Sequence, residues 1–456
     1  MKVLEFPPYS EKLMKKDFFY IESLGCAKNS VDSRSMAELL VLSGMRETGD
    51  PEQAEVIIVN TCGFIQPARQ ESLEVLNEFA SSKQEGQLLI ASGCLSEREK
   101  GQLLVEVGGL DAALGTRRWA DIVRVVKKAR EKPASPYLYF PETERIIVDE
   151  LSIPRAAVQG ASAYLKIADG CDRMCAFCAI PAIKGPMVSR MVDQVTKDAV
   201  FLQGLGVKEI ILIAQDSTAY GRDLGMKDGL PKLLKELVQA VPVVPWLRIM
   251  YTFPGSISDD LIGVMAKNEQ ILPYLDLPLQ HAHPDMLKRM KRPADLEWIR
   301  KTIARMRTTI PSIALRTTFI VGYPGETEEE FKFLLEFLKE MRFDHVGIFP
   351  YYHEEGTYAF QTAETVPDEL KKERIQQMAA AQEQISLEIN QSFIGKSMDV
   401  LIEGNGDGIS AGRSYRDAPE IDGLVLFKEI IEPGNLVSAQ ITGALVHDLI
   451  AKRIES

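Results

Sequence analysis

Apolar and polar positions fall into two alternating periods along the first third of the chain. Short apolar runs at Phe18–Leu24, Val56–Asn60 and Leu88–Ser92 each give way to helical spacing, from Val31 to Gly44, from Pro67 to Ala80 and from around Ser96. Strands alternating with helices predict a parallel sheet covered on both faces. Each run ends beside a cysteine, in Gly25-Cys26, Thr61-Cys62-Gly63 and Gly93-Cys94. The carboxyl edge of an open α/β sheet is where ligands bind, so Cys26, Cys62 and Cys94 are expected to converge on one rim.

From Glu131 to Gly160 the pattern is broken by Pro133, Pro136, Pro141 and Pro154, which predicts an interdomain connection with one strand at Arg145–Val148. Beyond it, strands are predicted at Ala163–Ala168, Glu209–Ala214, Leu247–Thr252, Leu275–Leu277, Ala314–Val321 and His345–Tyr351, with helices between them. Six such units predict a partial (β/α) barrel. A long helix from Asp368 to about Phe393 carries Ile375, Met378, Ile385 and Ile389 at helical spacing and should pack on a neighbouring surface. The remainder changes character. Short strands at Met398–Glu403, Ile409–Arg413, Leu424–Ile431, Leu436–Thr442 and Leu445–Ile450, separated by turns such as Gly404-Asn405-Gly406, predict a small five-stranded closed barrel. The expected division is therefore 1–135, 155–390 and 391–456, an α/β chain with an appended β-barrel.

Composition narrows the class. The 456 residues are 45% hydrophobic and 26% charged, which excludes disordered, collagen-like and disulfide-scaffold chains. No apolar run is long enough to span a membrane, and residues 1–16 lack a signal-peptide core, so a cytoplasmic protein is expected. A formal net charge of −12 argues against gripping phosphate backbones over a broad surface, so nucleic acid is not expected as the primary partner. The six cysteines change the picture most. In a reducing compartment stable disulfides are not expected, which leaves metal ligation or inert buried thiols.

The strongest signal is Cys171-Asp172-Arg173-Met174-Cys175-Ala176-Phe177-Cys178, placed directly after the first predicted barrel strand, where barrel active sites lie. Soft thiolates suit iron–sulfur clusters or zinc. Structural zinc normally takes four protein ligands, and no fourth cysteine is nearby, so three thiolates imply a metal position open to a small molecule. Chance spacing or zinc is the bland alternative. Cys-x₃-Cys-x₂-Cys with an aromatic residue before the last cysteine resembles the radical S-adenosylmethionine (SAM) enzymes. That resemblance implies a 4Fe–4S cluster on Cys171, Cys175 and Cys178 whose unique iron holds SAM.

A second resemblance spans nearly the whole chain. Ser-Leu-Gly-Cys26-Ala-Lys-Asn, Asn-Thr-Cys62-Gly-Phe and Ser-Gly-Cys94-Leu resemble the amino-terminal domain of the methylthiotransferases, and the closing barrel resembles a TRAM domain. Gly322-Tyr323-Pro324-Gly325-Glu326-Thr327 and Leu279-Gln280-His281 are similar to family barrel motifs. The resemblance implies a second 4Fe–4S cluster on Cys26, Cys62 and Cys94 that binds sulfur, with both open irons facing one cavity. It also implies a radical generated from SAM that takes a hydrogen from the substrate, with a second SAM methylating the sulfur.

Softer candidates for SAM contact are Gln215, Asp216, Arg248, Arg316, Gly322 and Gly325. Each has an alternative as a structural hydrogen bond or ion pair, and Gly322–Thr327 as a strand-to-helix turn capped by Glu326. His281 and His283 read as loop residues, and Lys288-Arg289-Met290-Lys291-Arg292 as a solvated helix face or a meeting point for phosphate or an acidic partner.

Within the family the substrate is either a tRNA adenosine or an aspartate β-carbon of the small-subunit ribosomal protein S twelve. From Gln391 to Ser456 ten acids face six bases, a net of −4, which suits a basic protein better than RNA. Gly412-Arg413-Ser414-Tyr415-Arg416-Asp417-Ala418-Pro419-Glu420-Ile421-Asp422-Gly423 resembles the ribosomal-protein branch. A tRNA methylthiotransferase and an iron–sulfur electron-transfer protein are the competing readings. The latter would ordinarily ligate each cluster with four cysteines.

Overall fold

In a computed structural model the described residues are 17–142, 153–363 and 365–454. The predicted strand at Arg145–Val148 lies outside them. The chain divides into two compact units. The first runs to Ala156 and takes in Gly170–Asp172 and Ala179–Val188; the second holds Ala157–Asp169, Arg173–Cys178 and everything from Ser189 onward.

The first unit is a parallel sheet. Its strands are β1 (Phe18–Ser23), β2 (Arg46–Glu47), β3 (Val56–Thr61), β4 (Leu88–Ser92), β5 (Ala112–Leu114) and β6 (Tyr137–Tyr139), in the order β2-β1-β3-β4-β5-β6. The three expected strands are its centre; β2, β5 and β6 are too short and too weakly patterned to stand out in the sequence. The apolar runs are continuous because both faces are buried. Val56, Ile58 and Ile90 pack with Met36, Leu40 and Val125 on one side, and Ile57, Val59, Leu89 and Ala91 pack with Leu73, Leu76 and Leu95 on the other. Three helices, α1 (Ala27–Leu42), α2 (Gln66–Ser82) and α3 (Gly93–Glu99), follow β1, β3 and β4. The chain leaves β1 toward β2 and returns to β3 on its other side, which makes the β1/β3 junction the topological switch point where α/β sheets bind ligands.

The second unit contains six parallel strands, β7 (Ser162–Lys166), β8 (Glu209–Ile213), β9 (Trp246–Ile249), β10 (Tyr274–Asp276), β11 (Ala314–Val321) and β12 (His345–Pro350). They form two sheets joined by the parallel bridge Leu247–Ile271, which gives the expected partial barrel. A short unpredicted strand, Ala156–Gln159, flanks its first edge. The long helix spans Asp368–Gln391, but its buried face is Lys371, Arg374, Met378, Gln382, Ile385 and Asn390. Ile375 and Ile389 sit at the edge of that face. The polar members are tolerated because they are bonded inward, Arg374 to Glu326 and Gln382 to the Phe343 carbonyl.

The carboxyl-terminal part is a closed five-stranded barrel of Ser397–Gly406, Ile409–Ser414, Val425–Phe427, Leu436–Ala444 and Leu449–Arg453. Gly404-Asn405-Gly406 is not a turn. A bulge between Ile402 and Gly404 absorbs the extra residue, and the reversal falls on Asp407 and Gly408, at φ 51° and 79°. Leu445–Asp448 forms a turn instead of a strand, with the Leu445 amide donating to the Asp448 carbonyl.

This small barrel sits against the starting ends of the larger barrel's strands. Arg413 reaches Glu209 at 2.6 Å and Ser162 at 3.1 Å, Arg248 holds Glu209 at 2.6 Å, Tyr274 donates to Asp422 at 2.7 Å, and His345 contacts the Arg416 carbonyl at 2.9 Å. Burial alone would raise the Glu209 carboxyl, but Arg248 and Arg413 outweigh it and hold it at about 2. Its stabilising contribution is therefore complete above its ordinary value of 4.5 and lost as the pH falls toward about 2. Glu209→Gln, which leaves two buried guanidiniums short of a carboxylate, should cost about 3–5 kcal/mol near neutral pH by urea unfolding, with a flatter acid branch than the parent between pH 4.5 and 2. An unchanged unfolding midpoint would contradict the buried pairing.

The turn after β1 is equally constrained. Gly25 has φ +88°, and a Cβ there would lie 2.7 Å from Cys62 Cβ and 2.9 Å from its Sγ. Gly44, at φ +99°, has open space around it. Alanine strains the backbone at both positions, so Gly25→Ala should cost about 1–3 kcal/mol more than Gly44→Ala in the same measurement.

Candidate functional site

Each cysteine of the first triad is placed by the end of a strand. Cys26 is the N-cap of the 16-residue helix α1, Cys62 follows β3, and Cys94 lies in the first turn of α3. The expected helix start at Val31 falls one turn too late, because the chain becomes helical directly after Cys26.

The turns are tied together by side-chain amides. Asn29 Nδ2 donates to the carbonyls of Leu24 at 2.9 Å and Thr61 at 3.0 Å, and Asn60 Nδ2 donates to the Asn29 carbonyl at 2.9 Å and Ser33 Oγ at 2.8 Å. Ser72 closes both backbone groups of Cys62, accepting from its amide and donating to its carbonyl at 2.9 Å. Cys94 Sγ lies 3.8 Å from Asn29 Oδ1. Together with the Gly25–Cys62 approach, this brings Cys26, Cys62 and Cys94 to one place at the switch point. Gly93, at φ +96°, permits the same crowding, since a Cβ would meet the Thr61 carbonyl at 2.5 Å.

Cys62 and Cys94 are buried and Cys26 is exposed; all three are free thiols. Burial pushes the Cys94 thiol up to about 12, with Lys184 pulling it down and Cys62 and Cys26 adding to the rise. Cys62 is raised by the same burial. Lys184 is itself buried and pairs with Asp32 at 3.1 Å; Asp32 also pairs with Arg155. Ala179 and Ile183 pack on Cys94, within the first unit. Asp32 and Lys184 carry no sequence signal of their own, and Asn29 enters the sequence only as the last residue of the Cys26 motif. Asn29 and Asp32 stand one turn apart on α1, and only the fold turns that face inward.

The second triad follows β7. The Cys171 amide donates to the Gly185 carbonyl at 3.1 Å. The Cys178 amide donates to the Cys175 carbonyl at 3.1 Å, and Ala176 is held by backbone bonds to Met290 at 3.0 Å and Ala359 at 2.7 Å. Phe177 packs on the cluster of Met286, Met290, Tyr323 and Tyr351. Arg173 pins the loop to Asp216 and Ser256, each at 2.7 Å. Cys171, Cys175 and Cys178 are half-buried. Among the described residues no three His, Cys, Asp or Glu side chains gather tightly enough to hold a single metal ion. A cluster does not ask for that, because each of its cysteines binds a different iron.

The softer candidates separate by position. Gln215 donates to Asp169 at 2.8 Å, while its Oε1 is buried with no hydrogen-bond partner among the described residues. Asp216 holds Arg173 and caps the turn Ser217–Ala219. Arg248 and Arg316 are engaged by carboxylates of the chain itself, Arg248 by Glu209 and Arg316 by Asp276 at 3.2 Å and Asp422 at 3.3 Å, on the side of the small barrel. The Gly322–Thr327 turn is not capped by Glu326. Thr327 caps the following helix in a capping box with Glu330. Glu326 instead accepts from the Gly322 amide, pairs with Arg374 and meets His281 at 3.0 Å, so the two barrel motifs meet in one buried network. The His283 amide donates to His281 Nδ1, which assigns the ring proton to Nε2, facing Glu326; burial lowers the imidazole, with Glu326 opposing. The basic run is not a solvated face throughout: Arg289 pairs with Glu330, and Arg292 turns toward Cys175. Gly325 lies open at φ +78°.

Comparison with known proteins agrees with this layout. Residues 18–115 match the model described as "Uncharacterized protein family UPF0004", 165–338 the radical SAM superfamily and 394–454 the TRAM domain. The chain is 43% identical to the ribosomal protein uS12 methylthiotransferase RimO of Roseiflexus sp. (strain RS-1), covering 96% of this chain and 97% of that one. It is 45% identical to the protein of the same name from Chloroflexus aurantiacus, over 94% and 98%. Among solved structures it resembles the radical S-adenosylmethionine methyltransferase TsrM of Kitasatospora setae, with TM-score 0.56 and 12% identity over 87% of this chain and 80% of that one, a likeness of fold. With identity above 40% over nearly the whole length, in the order sheet, partial barrel and closed barrel, the chain belongs to the ribosomal protein uS12 methylthiotransferase RimO family.

Proposed function

We propose that this chain is a radical SAM methylthiotransferase that adds a methylthio group to the β-carbon of an aspartate of ribosomal protein uS12. The observation that carries the reading is the convergence of Cys26, Cys62 and Cys94 at the switch point of a parallel sheet, in a chain that holds a second three-cysteine loop after the first strand of a partial barrel. Family membership supports the same reaction. The domain division 1–135, 155–390 and 391–456 is part of the proposal, as is a cytoplasmic location. Among the described residues no helix is long and apolar enough to cross a membrane.

The thiols fit two clusters. Cys171, Cys175 and Cys178 would hold one 4Fe–4S group, with Gln215, Asp216, Gly322 and Gly325 on the SAM side, and Cys26, Cys62 and Cys94 would hold the other. Bound with SAM, such a group supplies the one-electron chemistry that opens an unactivated C–H bond, which no side-chain base can do. The chain's own residues do the positioning. Asn29, Asn60 and Ser72 fix the turns that carry the first triad, and Arg173 with Asp216 fixes the cysteine loop. Ala179 and Ile183 pack on Cys94 and complete the apolar side of the first triad.

A basic ribosomal protein is the proposed partner, and the relatives' names support it more than charge does. On the small barrel Arg413, Arg416, Asp417 and Asp422 turn inward, leaving six exposed acids and four exposed bases among the described residues. Its outer surface thus carries only part of the −4 counted from the sequence.

Anaerobic incubation of the reconstituted protein with SAM, a reductant and either the ribosomal protein or tRNA, read by mass spectrometry, tests the reading. A methylthio group is expected on the protein; modification of tRNA alone overturns the substrate assignment. Iron should be about eight per chain, and replacing Cys171, Cys175 and Cys178 with alanine should halve it and abolish SAM cleavage.

A further inference from the structure

Arg292 closes the densest basic run of the chain, and its guanidinium is aimed at the cysteine loop. The chain turns at Lys291 through a φ of 54°, and the Arg292 amide returns to the Leu287 carbonyl at 2.7 Å. Three contacts then fix the side chain. Nη2 donates to the Pro278 carbonyl, the guanidinium lies 4.2 Å over the ring of Phe253, and Nη1 points at Cys175 Sγ at 3.5 Å. Nε is buried with no hydrogen-bond partner among the described residues. Phe253 carries a second guanidinium on its ring, that of Arg173 at 3.8 Å. The same basic run also grips the loop through its backbone, from the Ala176 amide to the Met290 carbonyl.

A neutral thiol is a weak acceptor, so an arginine gains little by facing one. A metal-bound thiolate is different. The hydrogen bond becomes charge-assisted, and it strengthens as added electron density reaches the sulfur. Hydrogen bonds to ligand sulfurs are among the levers by which proteins set cluster potentials. A purely structural Arg292, serving only to tie Pro278 and Phe253 to the loop, would leave the potential unmoved.

We propose that Arg292 is a positioning residue that raises the reduction potential of the group held by Cys171, Cys175 and Cys178, through its N–H contact to the Cys175 sulfur. This rests on the reading of those cysteines as cluster ligands, and the test separates the two. The full-length chain with Cys26, Cys62 and Cys94 changed to alanine is reconstituted anaerobically with iron and sulfide. It is compared with the same chain carrying Arg292→Gln, Arg292→Met or Arg292→Lys. Iron content reports loading, and a mediator titration followed by electron paramagnetic resonance reports the midpoint.

The neutral variants should bind as much iron as the parent. At the poise where the parent is half reduced, their reduced-to-oxidised ratio should fall about tenfold, equal to about 59 mV for one electron. Arg292→Lys, with charge but no fork, should recover part of the shift. Equal midpoints in the parent and a loaded neutral variant overturn the proposal. So does loss of loading in both neutral variants that lysine restores with the parent's midpoint. A parent chain that binds no iron overturns the cluster reading itself.

Discussion

The constraint on which the rest of the first unit depends is the way a parallel strand hands its next residue to the carboxyl edge of the sheet. β1, β3 and β4 lie side by side, so whatever follows them meets at one rim. Here a cysteine follows each, and the turns are so close that two of them exclude a side chain, at Gly25 and Gly93. Asn29 and Asn60 then lock the turns to one another across the β1/β3 junction. The sulfur atoms are placed by backbone geometry, and the buried amides stop that geometry from relaxing.

The second unit separates stability from chemistry along the barrel axis. At the starting ends of its strands Glu209, Arg248 and Arg413 form a buried charge network with the small barrel, and Asp422 adds Tyr274 and Arg316. The cysteine loop follows the other end of the first strand, held by Arg173, Asp216 and the basic run before Arg292. In barrels the loops after the strands carry the active site and the opposite face carries stability. The segment Gly412–Gly423, which resembles a motif of the ribosomal-protein branch, works at the stability end. Four of its five charged side chains, Arg413, Arg416, Asp417 and Asp422, are bonded inward, and Glu420 is exposed.

Much of this was readable in the residues. Apolar runs at Val56–Asn60 and Leu88–Ser92 announced a two-sided sheet, and the cysteine after each announced its edge. The strands of the partial barrel were legible as short apolar runs, and the long helix from apolar positions of which Met378 and Ile385 lie on its buried face. The misses have local causes. β5 and β6 are three residues each, too short to show a period. The reversal at Asp407-Gly408 hid beside Gly404-Asn405-Gly406, because glycine marks bulges as readily as turns.

Hydrophobic period and residue type act through neighbours in sequence, so the chain alone determined the kinds of element, their order, the two sets of three cysteines and the family. Long-range partners do not follow from period. That Arg248 and Arg316 belong to Glu209, Asp276 and Asp422, that His281 closes on Glu326, and that Lys184 lies buried beside Cys94 were settled by which strand ends the fold brings together. A charged or polar side chain looks the same in sequence whether it faces solvent, a cofactor or another residue of its own chain; only packing removes the water and selects the partner.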